Sequence, residues 1–436
     1  MFDRTPGWSA ISAAASFNAD ANMRLYASLM LTPTEATARV LATARPLPSE
    51  TVPLPHAANR ILAETLVADR DFPPFDRVAM DGIAVSFTAW AGGQSEFDIQ
   101  HTQYAGEPAR PLLNSQQAVE VMTGAVLPPG ADVVVRYEDI LLHDNRATIQ
   151  IPPPAAPGVN IHRRAADRHA GDTLLLPGTR LGPAELAVAA TVGAAEMAVT
   201  RAPRLAVVST GDELVGLSAT PLAHQIRRSN VYALQALFTQ TGADVSLFHL
   251  SDNVEELRVG LTNILAAGFD AVVLSGAVSK GRADLLPGLL RELHVEEIFH
   301  EVQQRPGKPM WFGARAGGPV VFGLPGNPVS TFLTACRYVR PWLRAVQQPA
   351  DTDAAAAAAD APMPAMLTVD IHFKPPLTHF VPVRLTVDAD GRRLATPLRV
   401  GGSGDLAGLA GATAFLELPP ELALFAAGSV WPAWAL

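Results

Sequence analysis

Between Pro203 and Val346, short apolar runs alternate with segments whose apolar residues recur every third or fourth position. "RLAVVS", "DVSLFHL", "DAVVLSG", "PMWFG" and "PVVFGL" predict strands. "SNVYALQALFTQTG", "NVEELRVGLTNILAAG" and the stretch after Pro328 predict helices, and "RADLLPGLLREL" a broken one. Strands that alternate with amphipathic helices predict a mostly parallel, doubly wound α/β sheet. Ligands on such sheets lie at the carboxyl ends of the strands.

The flanking regions carry other patterns. In "LTPTEATARVLATA", Thr32 is placed to cap a helix, Pro33 suits its first position and Glu35 completes a capping box. A second short helix is predicted around "PHAANRILAETL". From Asp71 to about Asn160, Pro, Gly and Asp interrupt runs such as "IAVSF", "AVEVM" and "DVVVRYE", which predicts a small β-rich domain. Helix returns in "DTLLLPGTRLGPAELAVAATVG", with Pro183 near its start. The expected organisation is a loose extension over 1–30 and a discontinuous helical domain over 31–70 and 160–202, with a β-rich domain inserted at 71–159. An α/β domain at 203–349, a linker at 350–362 and a C-terminal β domain at 363–436 follow. "DTDAAAAAADAPMPAM" carries the linker composition, and "FVPVRLTV", "AFLEL" and "GSVWPAW" are the terminal β runs.

Composition narrows the class. The 436 residues are 48% hydrophobic and 17% charged, with a net charge of −9. That balance argues against a protein whose whole surface binds nucleic acid, while leaving room for a local anion pocket. Cys336 is the one cysteine, so there is no intrachain disulfide framework, which fits a reducing compartment. The first residues are interrupted by Pro6, Ser9, Ser12 and Ser16 and do not read as a signal peptide, and no run is apolar enough to span a membrane. A soluble cytoplasmic protein, with neither nucleic-acid nor membrane partners, is expected.

Four loops follow or precede strands of the α/β region. They are Thr210-Gly211-Asp212-Glu213, the segment from Gly276 through Ser279 and Gly281 to Asp284, Arg305-Pro306-Gly307-Lys308, and Leu324-Pro325-Gly326-Asn327-Pro328. In the last, Asn327 is a good helix cap and Pro328 fits the first helical position, so the turn would present backbone N–H groups to an anion. Each loop alone also reads as an ordinary turn. Together, on one sheet edge, their glycines admit close backbone approach to phosphates, Arg305 and Lys308 add positive charge, and Asp212, Glu213 and Asp284 offer hard oxygen ligands for Mg²⁺. No zinc spacing, no P-loop and no nucleophile elbow occurs. In the β-rich region, Asp81, Thr123 and the cluster Arg163, Arg164, Asp167, Arg168 stand out, the cluster reading equally as a solvated charged face.

The ordered set "FPPFDRVAMDGIAV", "MTGAVLPPGADVVV", "STGDEL", "SGAVSKGRAD", "RPGKP" and "GLPGNPVS" resembles the molybdopterin molybdenumtransferase family, which includes bacterial MoeA and the E domain of gephyrin, over roughly residues 30–436. The resemblance implies a multidomain subunit in a homodimer, with a molybdopterin-binding α/β domain and a C-terminal β-barrel. It implies Mg²⁺-assisted insertion of molybdate into adenylylated molybdopterin, with release of AMP. Molybdopterin adenylyltransferase and recipient molybdoenzymes would be partners. The implied catalytic residues are Asp81, Thr123, Asp167, Glu213 and Asp284, with Asp212, Glu213 and Asp284 on the metal. The implied substrate-binding residues are Thr210, Gly211, Asp212, Gly276, Ser279, Gly281, Arg305, Gly307, Lys308 and the turn Pro325 to Pro328, with Arg384 and Ser403 from the terminal domain.

The chain departs from that pattern at Arg228 and Arg282, where the family often has acids, and at Glu301, where it often has lysine. Two readings stand: a polarity swap, with Glu301 paired to one of the two arginines, or three solvated surface charges. The alternative activity is a paralogue that binds molybdopterin or molybdate without turnover, as carrier or scaffold.

Overall fold

The computed structural model describes residues 30–276, 285–350 and 361–436. Of these, the residues up to Glu50, Asn59–Ile61 and Val199–Leu436 form one compact unit, and Thr51–Ala58 with Leu62–Ala198 form a second.

In the first unit, strands β1 (Arg204–Thr210), β2 (Asp244–Leu250), β3 (Ala271–Ser275), β4 (Val295–His300), β5 (Trp311–Arg315) and β6 (Val320–Leu324) pair in the order β2-β1-β3-β6-β5-β4. The pairs β1–β2, β1–β3 and β3–β6 are parallel, and β5 and β4 close the edge antiparallel. Helices α1 (Asn230–Thr239), α2 (Val254–Ala266), α3 (Leu286–Glu292), α4 (Pro328–Thr334) and α5 (Arg340–Val346) accompany them.

The period of two along each strand assigns the faces. Leu205, Val207, Val273 and Phe322 pack with Leu234 and Phe238 of α1 and with Trp342 of α5. Ala206, Val208, Val272 and Val321 pack on the other face with Leu261 of α2 and Leu289 of α3. Burial on both faces is why these strands read as unbroken apolar runs. The sheet is doubly wound, as the alternation predicts. The expected first helix is Pro33–Leu41, with the Thr32/Glu35 capping box in place, and it buries Ala36 and Val40 in the first of these cores.

Helix α4 runs through a π-helical stretch, Ala335–Val339, into α5. Two buried arginines, Arg337 within this stretch and Arg340 at the start of α5, reach the C-terminal domain. The Arg337 guanidinium lies 4.0 Å over the Trp434 ring, and Arg340 donates to the Ala435 carbonyl. That domain is a barrel of β7 (Met363–Leu367), β8 (Thr378–Val387), β9 (Arg393–Pro397), β10 (Ala414–Leu418) and β11 (Val430–Ala435). It closes through the β8–β10 pairing. At one end His379 stacks on Phe373, centroids 3.9 Å apart. Its Nδ1 is buried without a hydrogen-bond partner among the described residues. Burial, aided by the Arg305 charge, pushes its pKa down to about 4.

The second unit holds a six-stranded sheet in the order Val133–Arg136, Gly82–Val85, Gln117–Val121, Glu96–Gln103, Arg146–Ile149, Ile140–His143. The expected helix Pro183–Thr191 is present. The helix expected around "PHAANRILAETL" is not: Leu54–His56 form one 3₁₀ turn, and Asn59 follows with φ 63°. Leu62 and Ala63 then give their N–H groups to the carbonyls of Thr179 and Ala198. Distant backbone partners replaced the local ladder that the apolar spacing suggested.

Two outcomes test this packing. Phe322 is fully buried, with ring centroids 4.8 Å from Phe312 and 6.0 Å from Trp342. Phe322→Ala is expected to cost about 3–5 kcal/mol by denaturant unfolding, against within about 0.5 kcal/mol for the exposed Leu422→Ala. His379 is harder to protonate folded than unfolded, so its neutral form contributes stability above the ordinary histidine range, and that contribution is lost as pH falls toward 4. Between pH 7 and pH 5 the wild type should lose about 2 kcal/mol more than His379→Gln, a difference read from paired denaturation curves.

Candidate functional site

In the strand order β2-β1-β3-β6, the winding reverses between β1 and β3. Loops leaving the carboxyl ends of two such strands diverge and open a crevice. A cavity of about 540 Å³ lies there, with Thr210 at the end of β1, Ser275 and Gly276 at the end of β3, and Pro325–Pro328 after β6.

Asn230 holds these loops together. At the start of α1, its Nδ2 lies 3.0 Å from Ser275 Oγ, 2.8 Å from the Gly326 carbonyl and 3.1 Å from Thr331 Oγ1. Two amide hydrogens are shared among three acceptors from three elements. Gly276 and Gly326 approach so closely that a Cβ on Gly326 would sit 3.5 Å from the Gly276 Cα. Gly211 has φ 129°, and a Cβ there would fall 2.4 Å from Glu213 Oε2, so the glycine leaves space for the Glu213 carboxylate to fold back. No helix follows Thr210; Leu214–Val215 instead pairs in parallel with Ile226–Arg227.

Glu213 lines the cavity, whereas the Asp212 carboxylate accepts the Asp252 N–H at 3.1 Å. Among the described residues, no group of three or more His, Cys, Asp or Glu side chains is arranged to hold a metal ion. Ser279, Gly281, Arg282 and Asp284 lie outside the described residues.

A second cavity, about 510 Å³, lies where the α/β domain meets the barrel. Arg305, Gly307, Lys308, Asn327, His379 and Ser403 line it. Gly307 has φ 86°, and a Cβ there would meet Gln304 Nε2 and Thr334 Cγ2 at 2.8 Å. Pro325 and Asn327 line both cavities, so the turn is a shared wall. Pro328 opens α4 as expected, but Asn327 makes no side-chain cap. Its Nδ2 donates to Ser403 Oγ at 3.0 Å, and the Ser403 carbonyl takes the Val329 N–H at 3.0 Å. The barrel thus supplies part of the cap that the sequence assigned to Asn327, and the turn presents fewer unengaged N–H groups than expected.

Arg384 lines neither cavity; it is exposed, with Nε 3.4 Å from the Gly411 carbonyl. Glu301 is buried and does not pair with Arg228: its Oε1 lies 3.9 Å from Lys308 Nζ. The turn-lysine side chain therefore meets the reversed charge directly, and Arg228 lines the first cavity.

The remaining candidates belong to the second unit. Asp81 Oδ1 accepts both the Thr123 N–H at 2.6 Å and its hydroxyl at 2.7 Å. These two donations hold the Asp81 carboxyl below the usual range. His162 Nδ1 receives a hydrogen bond from Arg77 at 2.9 Å, so Nε2 carries the proton given to Asp167 at 3.0 Å. The arginine cluster is engaged rather than merely solvated: Arg163 pairs with Asp76 and Arg164 with Asp71, both at 2.6 Å.

Asn230 and His379 were not singled out from sequence. An asparagine at a helix start reads as a cap, and only the fold shows its amide reaching three other segments.

Three family patterns match in order: the MoeA N-terminal region (domain I and II) over residues 31–193, a probable molybdopterin binding domain over 206–345, and the MoeA C-terminal region (domain IV) over 364–436. A Synechocystis molybdopterin molybdenumtransferase is 37% identical over 379 residues, covering 86% of this chain and 92% of that protein. Its Staphylococcus aureus counterpart is 30% identical over 90% of this chain and 93% of its own length. The molybdopterin biosynthesis MoeA protein of Pyrococcus horikosii superposes with a TM-score of 0.75 at 28% identity, over 93% of this chain and 99% of that one. Likeness on this scale reaches from the capped first helix through the crevice-bearing sheet to the closed barrel, and by it the chain belongs to the molybdopterin molybdenumtransferase family.

Proposed function

We propose that this protein is a molybdopterin molybdenumtransferase that inserts molybdate into adenylylated molybdopterin and releases AMP. The observation that carries the reading is the cavity between β1 and β3, which lies within the region matching the molybdopterin binding pattern. The donors on its wall suit a phosphorylated substrate. Thr210 Oγ1 is buried without a partner among the described residues, and the loops meet at glycines that admit close approach. In the second cavity, Arg305, Lys308 and Ser403 supply donors for the molybdate oxyanion.

Mg²⁺ is part of the proposal. Glu213 places a hard oxygen donor at the first cavity, and Asp284, with Asp212, would complete its carboxylates. When bound, the ion would neutralise charge on the phosphate oxygens. Asp81, fixed by Thr123 and kept ionised, and Asp167, fixed by His162, are the further acids assigned to the reaction. A cytoplasmic homodimer is the proposed working form.

Binding without turnover is a second reading, and Arg228 in the cavity favours it. The deciding experiment supplies purified protein with adenylylated molybdopterin, molybdate and Mg²⁺, and measures AMP release together with molybdenum retained per chain. Stoichiometric AMP and molybdenum support the transferase; molybdopterin retained without AMP release supports the second reading.

If the assigned acids act, Asp81→Asn, Glu213→Gln and Asp284→Asn should each slow AMP release about a hundredfold with unchanged circular dichroism. Wild-type rates in all three would remove them from the mechanism. Sedimentation equilibrium should return twice the chain mass of 46.1 kDa; a monomer at assay concentration would remove the dimer.

A further inference from the structure

We propose that Arg228 is a substrate-binding residue of the β1/β3 cavity and takes a phosphate-class oxyanion there. This rests on reading that cavity as the substrate site. Arg228 lines it, and its Nε is buried with no hydrogen-bond partner among the described residues. A guanidinium donates only, so whatever satisfies that N–H must be an acceptor. Leaving such a group desolvated and unpaired is costly, and an incoming anion removes the cost.

The position is built to hold the side chain in place. The Arg228 N–H donates to the Val215 carbonyl at 3.1 Å, extending the parallel pairing of Leu214–Val215 with Ile226–Arg227. Two residues on, Asn230 is fastened to the ends of β3 and β6. The arginine therefore springs from the same braced segment that closes the crevice.

A second orphan points to the same ligand. Thr210 is 5% exposed, its Oγ1 has no partner among the described residues, and it lines the same cavity. Two residues lining one cavity, each carrying an unsatisfied donor, match the acceptors of a tetrahedral oxyanion. Neighbouring Arg227 also lines the cavity, but its Nε already donates to the Leu217 carbonyl at 3.0 Å. No ion pair among the described residues joins Arg228 to Glu213, so the cationic charge is not cancelled within the cavity wall.

The test uses the full-length protein in EDTA, titrated calorimetrically with 5′-AMP and, separately, with inorganic phosphate. Wild type should bind at least one probe, and Arg228→Gln should weaken that binding tenfold or more. Arg228→Lys, which keeps the charge but not the planar fork, should fall between them and replaces the glutamine variant if that one does not fold. Arg227→Gln should stay within twofold. A loss below fivefold in the Arg228 variant, an equal loss in Arg227→Gln, or no binding of either probe by wild type overturns the assignment. In the transfer assay, Arg228→Gln should raise KM for adenylylated molybdopterin about tenfold and leave kcat within threefold; turnover with unchanged KM would overturn the residue's role and keep the enzyme. Arg228-dependent probe binding by a wild type that never releases AMP would do the reverse.

Discussion

The amide of Asn230 is the constraint on which the crevice depends. Two segments far apart in sequence, the end of β3 at Ser275 and the turn into α4 at Gly326 and Thr331, converge on one Nδ2. Loops that only leave neighbouring strands would splay. Here they are drawn to a single donor group, and Gly276 takes a φ of 108° that a side chain would strain, with Thr210 Oγ1 close beside it. The sheet supplies the reversal of winding; the asparagine turns that reversal into a cavity of fixed shape.

The helix after the turn extends the same logic to the barrel. Ser403 accepts the Val329 N–H on its carbonyl and the Asn327 side-chain amide on its hydroxyl oxygen. Farther along, Arg337 of the π-helical stretch lies over Trp434, and Arg340 at the start of α5 donates to the Ala435 carbonyl. One continuous helix is thus bonded to the barrel at its start and middle. The second cavity sits beside this attachment, where basic groups from the α/β domain meet Ser403 and His379.

How much of this was legible depended on the range of the forces involved. The doubly wound sheet could be read because burial on both faces leaves continuous apolar runs, as in Ala271–Ser275. The first helix could be read because its capping box is local. The segment after His56 was misread because Ile61, Leu62 and Leu66 mimic helical spacing while their backbone bonds go to residues more than a hundred positions away. Four loops could be nominated from glycine, proline and charge, yet their partition into two cavities could not, since that follows from strand order and from the barrel's position. Arg384 was nominated through the resemblance alone; it lines neither cavity, and its Nε lies 3.4 Å from the Gly411 carbonyl. Glu301 was expected opposite Arg228 or Arg282; it meets Lys308 of the turn beside it, and Arg282 lies outside the described residues. Asn230 was invisible for the opposite reason: its role is entirely in contacts that no spacing encodes.

The shared wall has a thermodynamic corollary. Pro325 and Asn327 face both cavities, and Asn327 is bonded to the barrel. Any displacement of that turn imposed by a ligand on one side is a displacement of the surface offered to a ligand on the other. Occupancies on the two sides are then linked functions, and whatever factor one ligand imposes on the other's affinity must be returned in equal measure. A reaction that joins an oxyanion from one side to a phosphorylated partner on the other would thereby gain an order of events from the stiffness of four residues, without a separate regulatory element.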